Sequence, residues 1–172
     1  AGGGRAPGGG VLWVGRGGWA VTPGAGAFDA GGAAGWADLA GQLLRDAEGS
    51  AHDIDIEVVG AASETEALLV GRSVARSNLF KCAVFGEDPN WGRVLASIGT
   101  TDAAFDIYAV DVVFNGVQVC RAGSAHEDPA AVRFEGRQVT VHIDLHAGTA
   151  GATVRTNDLT TAYVHENSAY ST

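Results

Sequence analysis

Of the 26 glycines in this 172-residue chain, 14 fall within the first 35 positions, and that asymmetry decides where a folded core can form. The opening reads AGGGRAPGGG and continues through VGRGGWAVTPGAGAFDAGGAAG. Each glycine inside a regular element costs roughly 0.5–1 kcal/mol relative to alanine, so no stable helix is expected here. Val11–Val14 has the composition of one short strand. Neither a GxGxxG fingerprint between strand and helix nor a GxxxxGK[ST] loop stands in the context that phosphate binding requires. Residues 1–35 are therefore expected to be a disordered, low-complexity lead, and any core has to come from the rest of the chain.

From Trp36 the pattern becomes regular. Trp36–Glu48 places Leu39, Leu43 and Leu44 at helical spacing, with Gly49 available as the C-terminal stop. His52–Val59 alternates: Ile54, Ile56 and Val58 point one way, and Asp53, Asp55 and Glu57 the other. Ser63-Glu64-Thr65-Glu66 is a capping box that opens a helix to about Arg76. Leu79–Phe85 is an apolar run that reads as a strand buried on both faces. After Gly86, Asp88-Pro89 predicts a helix start, with Asp88 as the cap and Pro89 in the first helical position, running to Ile98.

The remainder predicts mostly strands. Val110–Phe114 and Val117–Cys120 flank Asn115-Gly116, a strong hairpin signal. Arg121–Asp128 reads as a polar loop, Gln138–Leu145 alternates, and Ala152–Thr156 supplies a partner strand. A last helix is expected from Leu159 to about His165. The fold class is α+β: a layered α/β sandwich portion over 36–105, then a small β-rich C-terminal domain over 106–172.

Charge and cysteine usage narrow the function classes. With 20 acids against 11 bases the formal charge is -9, which disfavours nucleic-acid backbones. No apolar run approaches the roughly 18 residues needed to span a bilayer, and no signal-peptide pattern opens the chain. A cytoplasmic protein is expected. Cys82 and Cys120 both sit in apolar, strand-like runs, as buried free thiols would, with a single disulfide as the alternative.

Three groups of residues invite a chemical reading. His142, Asp144 and His146 share one strand face at a spacing that suits a metal, but the same residues make the polar face of an amphipathic strand and no further ligand converges on them. Asp46 and Glu48 stand at a helix C-terminus, where the dipole disfavours negative charge. A solvated helix end accounts for them; a receptor for a substrate ammonium group is the sharper alternative. In the loop GEDPNWGR, Trp91 and Arg93 project from a helix start, either toward a pocket or as core filler and a partner for Glu87.

Taken together, LFKCAVFGEDPNWGRVLASIG, the preceding RDAEG and the closing RTNDLTTAYVHENSAYST closely resemble the ornithine acetyltransferase (ArgJ) family over about residues 37–172. The resemblance implies acetyl transfer from N-acetylornithine to glutamate in arginine biosynthesis, with acetyl-CoA as a further co-substrate only in bifunctional members and no other cofactor. It implies a precursor that cleaves itself before a threonine, giving α and β chains that stay associated as a hetero-oligomer. The new N-terminal threonine forms an acetyl-enzyme once a base takes its proton, and α-chain oxyanion donors stabilise the intermediate.

Carried onto this sequence, the family's substrate-binding positions fall on Glu48 in DAEG and on Asn167 and Thr172 in ENSAYST. Glu87, Asp88, Asn90 and Arg93 match as architecture beside the pocket. The chain also departs from the family. It contains no Met, whereas the family's cleavage region is a Met-containing segment ending in Ala-Thr, and Ala152-Thr153 lies in a predicted strand. No catalytic residue is assigned, because the nucleophilic threonine and the Ser-Thr-Asn-Asp stretch expected before DAEG do not occur at their places, where the glycine-rich lead stands. That lead is expected to be foreign to the family, the product of a shifted reading frame. Two functions compete: part of an N-acetyltransferase β chain, inactive alone, and a non-catalytic remnant or amino-acid-binding module.

Overall fold

The computed structural model describes residues 49–169. The glycine-rich lead, the helix expected over Trp36–Glu48, and the candidate residues Glu48 and Thr172 lie outside them. Within 49–169, six strands and four helices occur in the order β1 (Asp53–Ala61), α1 (Glu64–Ala75), α2 (Asn78–Phe85), α3 (Trp91–Ile98), β2 (Asp111–Phe114), β3 (Val117–Arg121), β4 (Ser124–Ala125), β5 (Gln138–Asp144), β6 (Ala150–Asn157) and α4 (Thr161–Ala169). The class is mixed α+β.

All six strands join one sheet in the order β4-β3-β2-β5-β1-β6. β1 lies parallel to β5 and antiparallel to β6, and β2 runs antiparallel to β5 and β3. A strand from residues 36–105 thus sits between two strands from 106–172. Alternation sets the faces, as the period of two requires. Ile54, Ile56 and Val58 turn inward with Val139, Val141 and Ile143 of β5 and Val112 and Phe114 of β2. Val70, Val74, Phe80, Val84, Val94 and Ile98 from α1–α3 complete this core. Each such side chain contributes about 1.5–3 kcal/mol on burial. The opposite face is polar: Arg155 Nε donates to Asp55 at 3.1 Å, and His142 Nδ1 lies 3.4 Å from Glu57.

Several local expectations hold. Ser63 Oγ accepts from the Glu66 amide at 3.2 Å and caps α1. Asn115 and Gly116 have φ of 44° and 86°, the pair of positive angles a two-residue hairpin turn needs. The Asn115 side chain also accepts from Thr140 N and donates to Arg133 O, both at 2.8 Å, tying the turn to β5.

Others are corrected. Leu79–Phe85 is helical, within α2, and not a buried strand. Phe80, Ala83 and Val84 are buried while Leu79 is 67% exposed, which is a helical face. An apolar run this short satisfies either period, and two things decide it: Ser77 Oγ accepts from Phe80 N at 3.3 Å, and the run packs on a sheet rather than in it. In the next loop the cap of α3 is Asn90, not Asp88, and Pro89 precedes the helix. The chain leaves α2 through Glu87 at φ 53°, and the Asp88 amide donates back to Ala83 O at 2.9 Å, so residues 86–89 are used in the turn. Cys82 is exposed on α2, whereas Cys120 is buried in β3; both are free thiols. The polar loop after β3 contains the short strand β4, and the last helix starts two residues later than expected and extends to Ala169.

Candidate functional site

GEDPNWGR is a helix cap and a brace. Asn90 Oδ1 accepts from Arg93 N at 3.1 Å, and Asn90 Nδ2 donates to Asp88 Oδ2 at 2.9 Å, which holds the cap in orientation. Arg93 Nη1 donates to Leu79 O at 2.6 Å, fastening α3 to α2 rather than pairing with Glu87. Trp91 is partly buried against the core.

Five polar residues are buried among the described ones, and four of them, His52, Thr156, Asp158 and Thr160, gather where the segment entering β1 meets the β6–α4 corner. Buried polar groups need partners, and His52, Asp158 and Thr160 have them. Asp158 accepts from the Ala51 amide and lies 2.9 Å from His52 Nδ1, while its own amide donates to His52 O at 3.2 Å. The Thr160 hydroxyl donates to Gly49 O and accepts from Tyr163 N at 3.0 Å, capping α4 with the same oxygen. Arg137 braces the other side, with Nη1 donating to Ser50 O at 2.9 Å and Nε to Asp53 Oδ2 at 3.0 Å. Lys81 on α2 faces this corner; burial pushes its ammonium below the ordinary lysine range, against the opposing fields of Asp158 and Cys82. A cleft of about 280 Å³ opens beside it, lined by Cys82, Phe85, Leu159, Thr160, Thr161 and Val164.

Of the three expected substrate residues, only Asn167 is described. It stands exposed on α4, none of whose residues is buried, and its Nδ2 donates to Tyr163 O at 2.9 Å. Glu48 and Thr172 are not described, but Gly49, the chain neighbour of Glu48, packs directly against Tyr163, one helical turn before Asn167. His142 and His146 are engaged by acids: His146 Nε2 lies 3.1 Å from Asp111 and its Nδ1 3.6 Å from Asp144. No group of three His, Cys, Asp or Glu among the described residues is placed to hold a metal ion. No helix among them is long and apolar enough to cross a membrane.

A family model described as the ArgJ family matches residues 12–172. The chain belongs to the ArgJ family. The match reaches into the glycine-rich lead, further toward the N-terminus than the three sequence motifs. Similar proteins include the arginine biosynthesis bifunctional protein ArgJ of Thermobifida fusca, 62% identical over 135 residues, and that of Streptomyces coelicolor, 60% identical over 134 residues. Each alignment covers 78% of this chain and 35% of the relative, so the chain spans about a third of the length of these relatives. The crystal structure of the bifunctional protein argJ from Bacillus halodurans superposes with a TM-score of 0.73 at 31% identity, covering 77% of this chain and 64% of that one.

Sequence reasoning misses His52, Asp158, Thr160 and Arg137, although TNDLTT lies within one of the three family motifs. A cluster of Thr, Asn and Asp closing a strand just before a helix is the signal that marks such a corner.

Proposed function

We propose that this chain is the C-terminal part of the β chain of a glutamate N-acetyltransferase/ornithine acetyltransferase and supplies one wall of its amino-acid pocket. The observation that carries this reading is the contact of Gly49 with Tyr163, which brings the neighbour of Glu48 to within one turn of Asn167 on α4. The Glu48 carboxylate would pair with the ammonium of ornithine or glutamate, and the Asn167 amide and Thr172 hydroxyl would bind the substrate's remaining polar groups.

The nucleophile lies in the part of the family's length that this chain does not span. There a threonine hydroxyl, its proton taken by a base, would attack the acetyl carbonyl of N-acetylornithine. Ornithine leaves, and the glutamate amine then takes the acetyl group from the acyl-enzyme. A complementing α chain is the implied partner, with acetyl-CoA an additional donor if the whole protein is bifunctional. A cytoplasmic location belongs to the same reading.

Isothermal calorimetry with ornithine, together with an acetyl-transfer assay using N-acetylornithine and glutamate, tests it. Heat of binding lost in Glu48→Ala and Asn167→Ala, with no turnover by the chain alone, is expected. Turnover by the isolated chain would place the nucleophile within it and overturn the reading. No heat from the folded chain would favour the non-catalytic remnant.

A further inference from the structure

We propose that Thr160 is a positioning residue for the amino-acid pocket, its single hydroxyl setting the placement of Asn167 relative to the peptide that carries Glu48. The inference rests on the proposed acetyltransferase pocket and adds a residue to which that pocket gives no role.

No residue of α4 is buried, so the helix contributes no side chain to the core. One polar atom links its first turn to the segment entering β1, beside the close backbone approach of Gly49 to Tyr163. Thr160 Oγ1 donates its only proton to Gly49 O and accepts from the Tyr163 amide at 3.0 Å, so its donor is used and it faces both partners at once. Tyr163 O in turn accepts from Asn167 Nδ2 at 2.9 Å. A continuous path therefore runs from the carbonyl next to Glu48, through the Thr160 hydroxyl and the Tyr163 backbone, to the Asn167 carboxamide.

Asp158 anchors the near end of this path. Its side chain is fully buried, and it holds the Ala51 amide and the His52 ring at 2.9 Å each. With Gly49 to His52 fixed to the corner, the Thr160 hydroxyl ties the first turn of α4 to it. The core does not depend on that hydroxyl: α1–α3 and the sheet's inner face meet without it.

Thr160→Val removes the hydroxyl at nearly constant shape, and Thr160→Ser keeps it. Amide hydrogen exchange and ornithine calorimetry on the full chain read the outcome. In Thr160→Val, exchange of Tyr163–Ala169 is expected to speed up about tenfold and ornithine affinity to fall about tenfold, the scale of one lost hydrogen bond, while β1 and β5 keep their protection. Thr160→Ser is expected to restore both. Wild-type exchange in α4 with unchanged affinity, or no rescue by serine, would overturn the proposal. If Thr160→Val loses protection in β1 as well, Thr160→Ala, which lacks the second methyl, is compared; the same loss there would make Thr160 a core residue and also overturn it. Absence of ornithine heat in the wild type defeats the pocket reading alone, since the exchange comparison still decides whether the hydroxyl places α4.

Discussion

Gly49 and Tyr163 meet backbone to backbone: a Cβ on residue 49 would lie 2.6 Å from the Tyr163 nitrogen. Gly49 also has φ of 75°, in the left-handed region. One residue thus satisfies a backbone angle and a close approach that a side chain would forbid. Gly49→Ala is expected to lower stability by about 1–2 kcal/mol from the backbone conformation alone, before the clash adds to it. Urea denaturation monitored by circular dichroism checks this, and an unchanged midpoint would show that the contact is not kept in solution.

The cap of α3 can be told apart from its neighbour by mutation. Asn90→Ala removes the acceptor for Arg93 N and is expected to cost about 1 kcal/mol. Asp88→Ala removes only an exposed contact that steadies Asn90, and a smaller loss, within about 0.5 kcal/mol, is expected. Equal thermal shifts, or a larger one for Asp88, would return the cap to Asp88.

The two thiols differ in access. Cys82 is exposed on α2, whereas Cys120 is buried with its pKa raised, chiefly by burial and then by the Asp111 charge. Thiolate, not thiol, reacts. Iodoacetamide at neutral pH is expected to label Cys82 and to leave Cys120 until denaturant is added, which peptide mass spectrometry reads directly. Labelling of both at equal rates would mean that β3 opens readily.

Acid stability should carry a contribution from Asp111. Burial works to raise its carboxyl, but the Ala122 amide at 2.7 Å, His146 at 3.1 Å and the Arg121 charge outweigh it and hold it below its ordinary value. A carboxyl depressed in the folded state stabilises the fold above its unfolded pKa, about 3.9, and loses that contribution as pH falls through the folded value. Thermal melts of Asp111→Asn against wild type should therefore diverge most at neutral pH and converge toward acid. A constant gap across pH would show that the ionisation of Asp111 adds nothing to stability.

Legibility tracks the range of the interactions. Ser63-Glu64-Thr65-Glu66 and Asn115-Gly116 act over two to four residues, so their geometry is written where they stand and the structure reproduces it. Leu79–Phe85 is ambiguous in one dimension because a seven-residue, mostly apolar run fits a strand or a helix face equally, and the choice is made by Ser77 and by the sheet beneath. Asp88 loses the cap to Asn90 because the turn after α2 draws the Asp88 amide back to Ala83.

The same division separates family from site. Motifs distributed along the chain identify the ArgJ family by their order and composition alone, since those survive in one dimension. The corner formed by His52, Asp158, Thr160 and Gly49 joins residues about 110 positions apart in sequence, Thr160 to Gly49 being separated by 111. No local pattern announces such a pairing. β1 must first find its place between β5 and β6, and only then do the buried carboxylate and hydroxyl meet the backbone groups they satisfy.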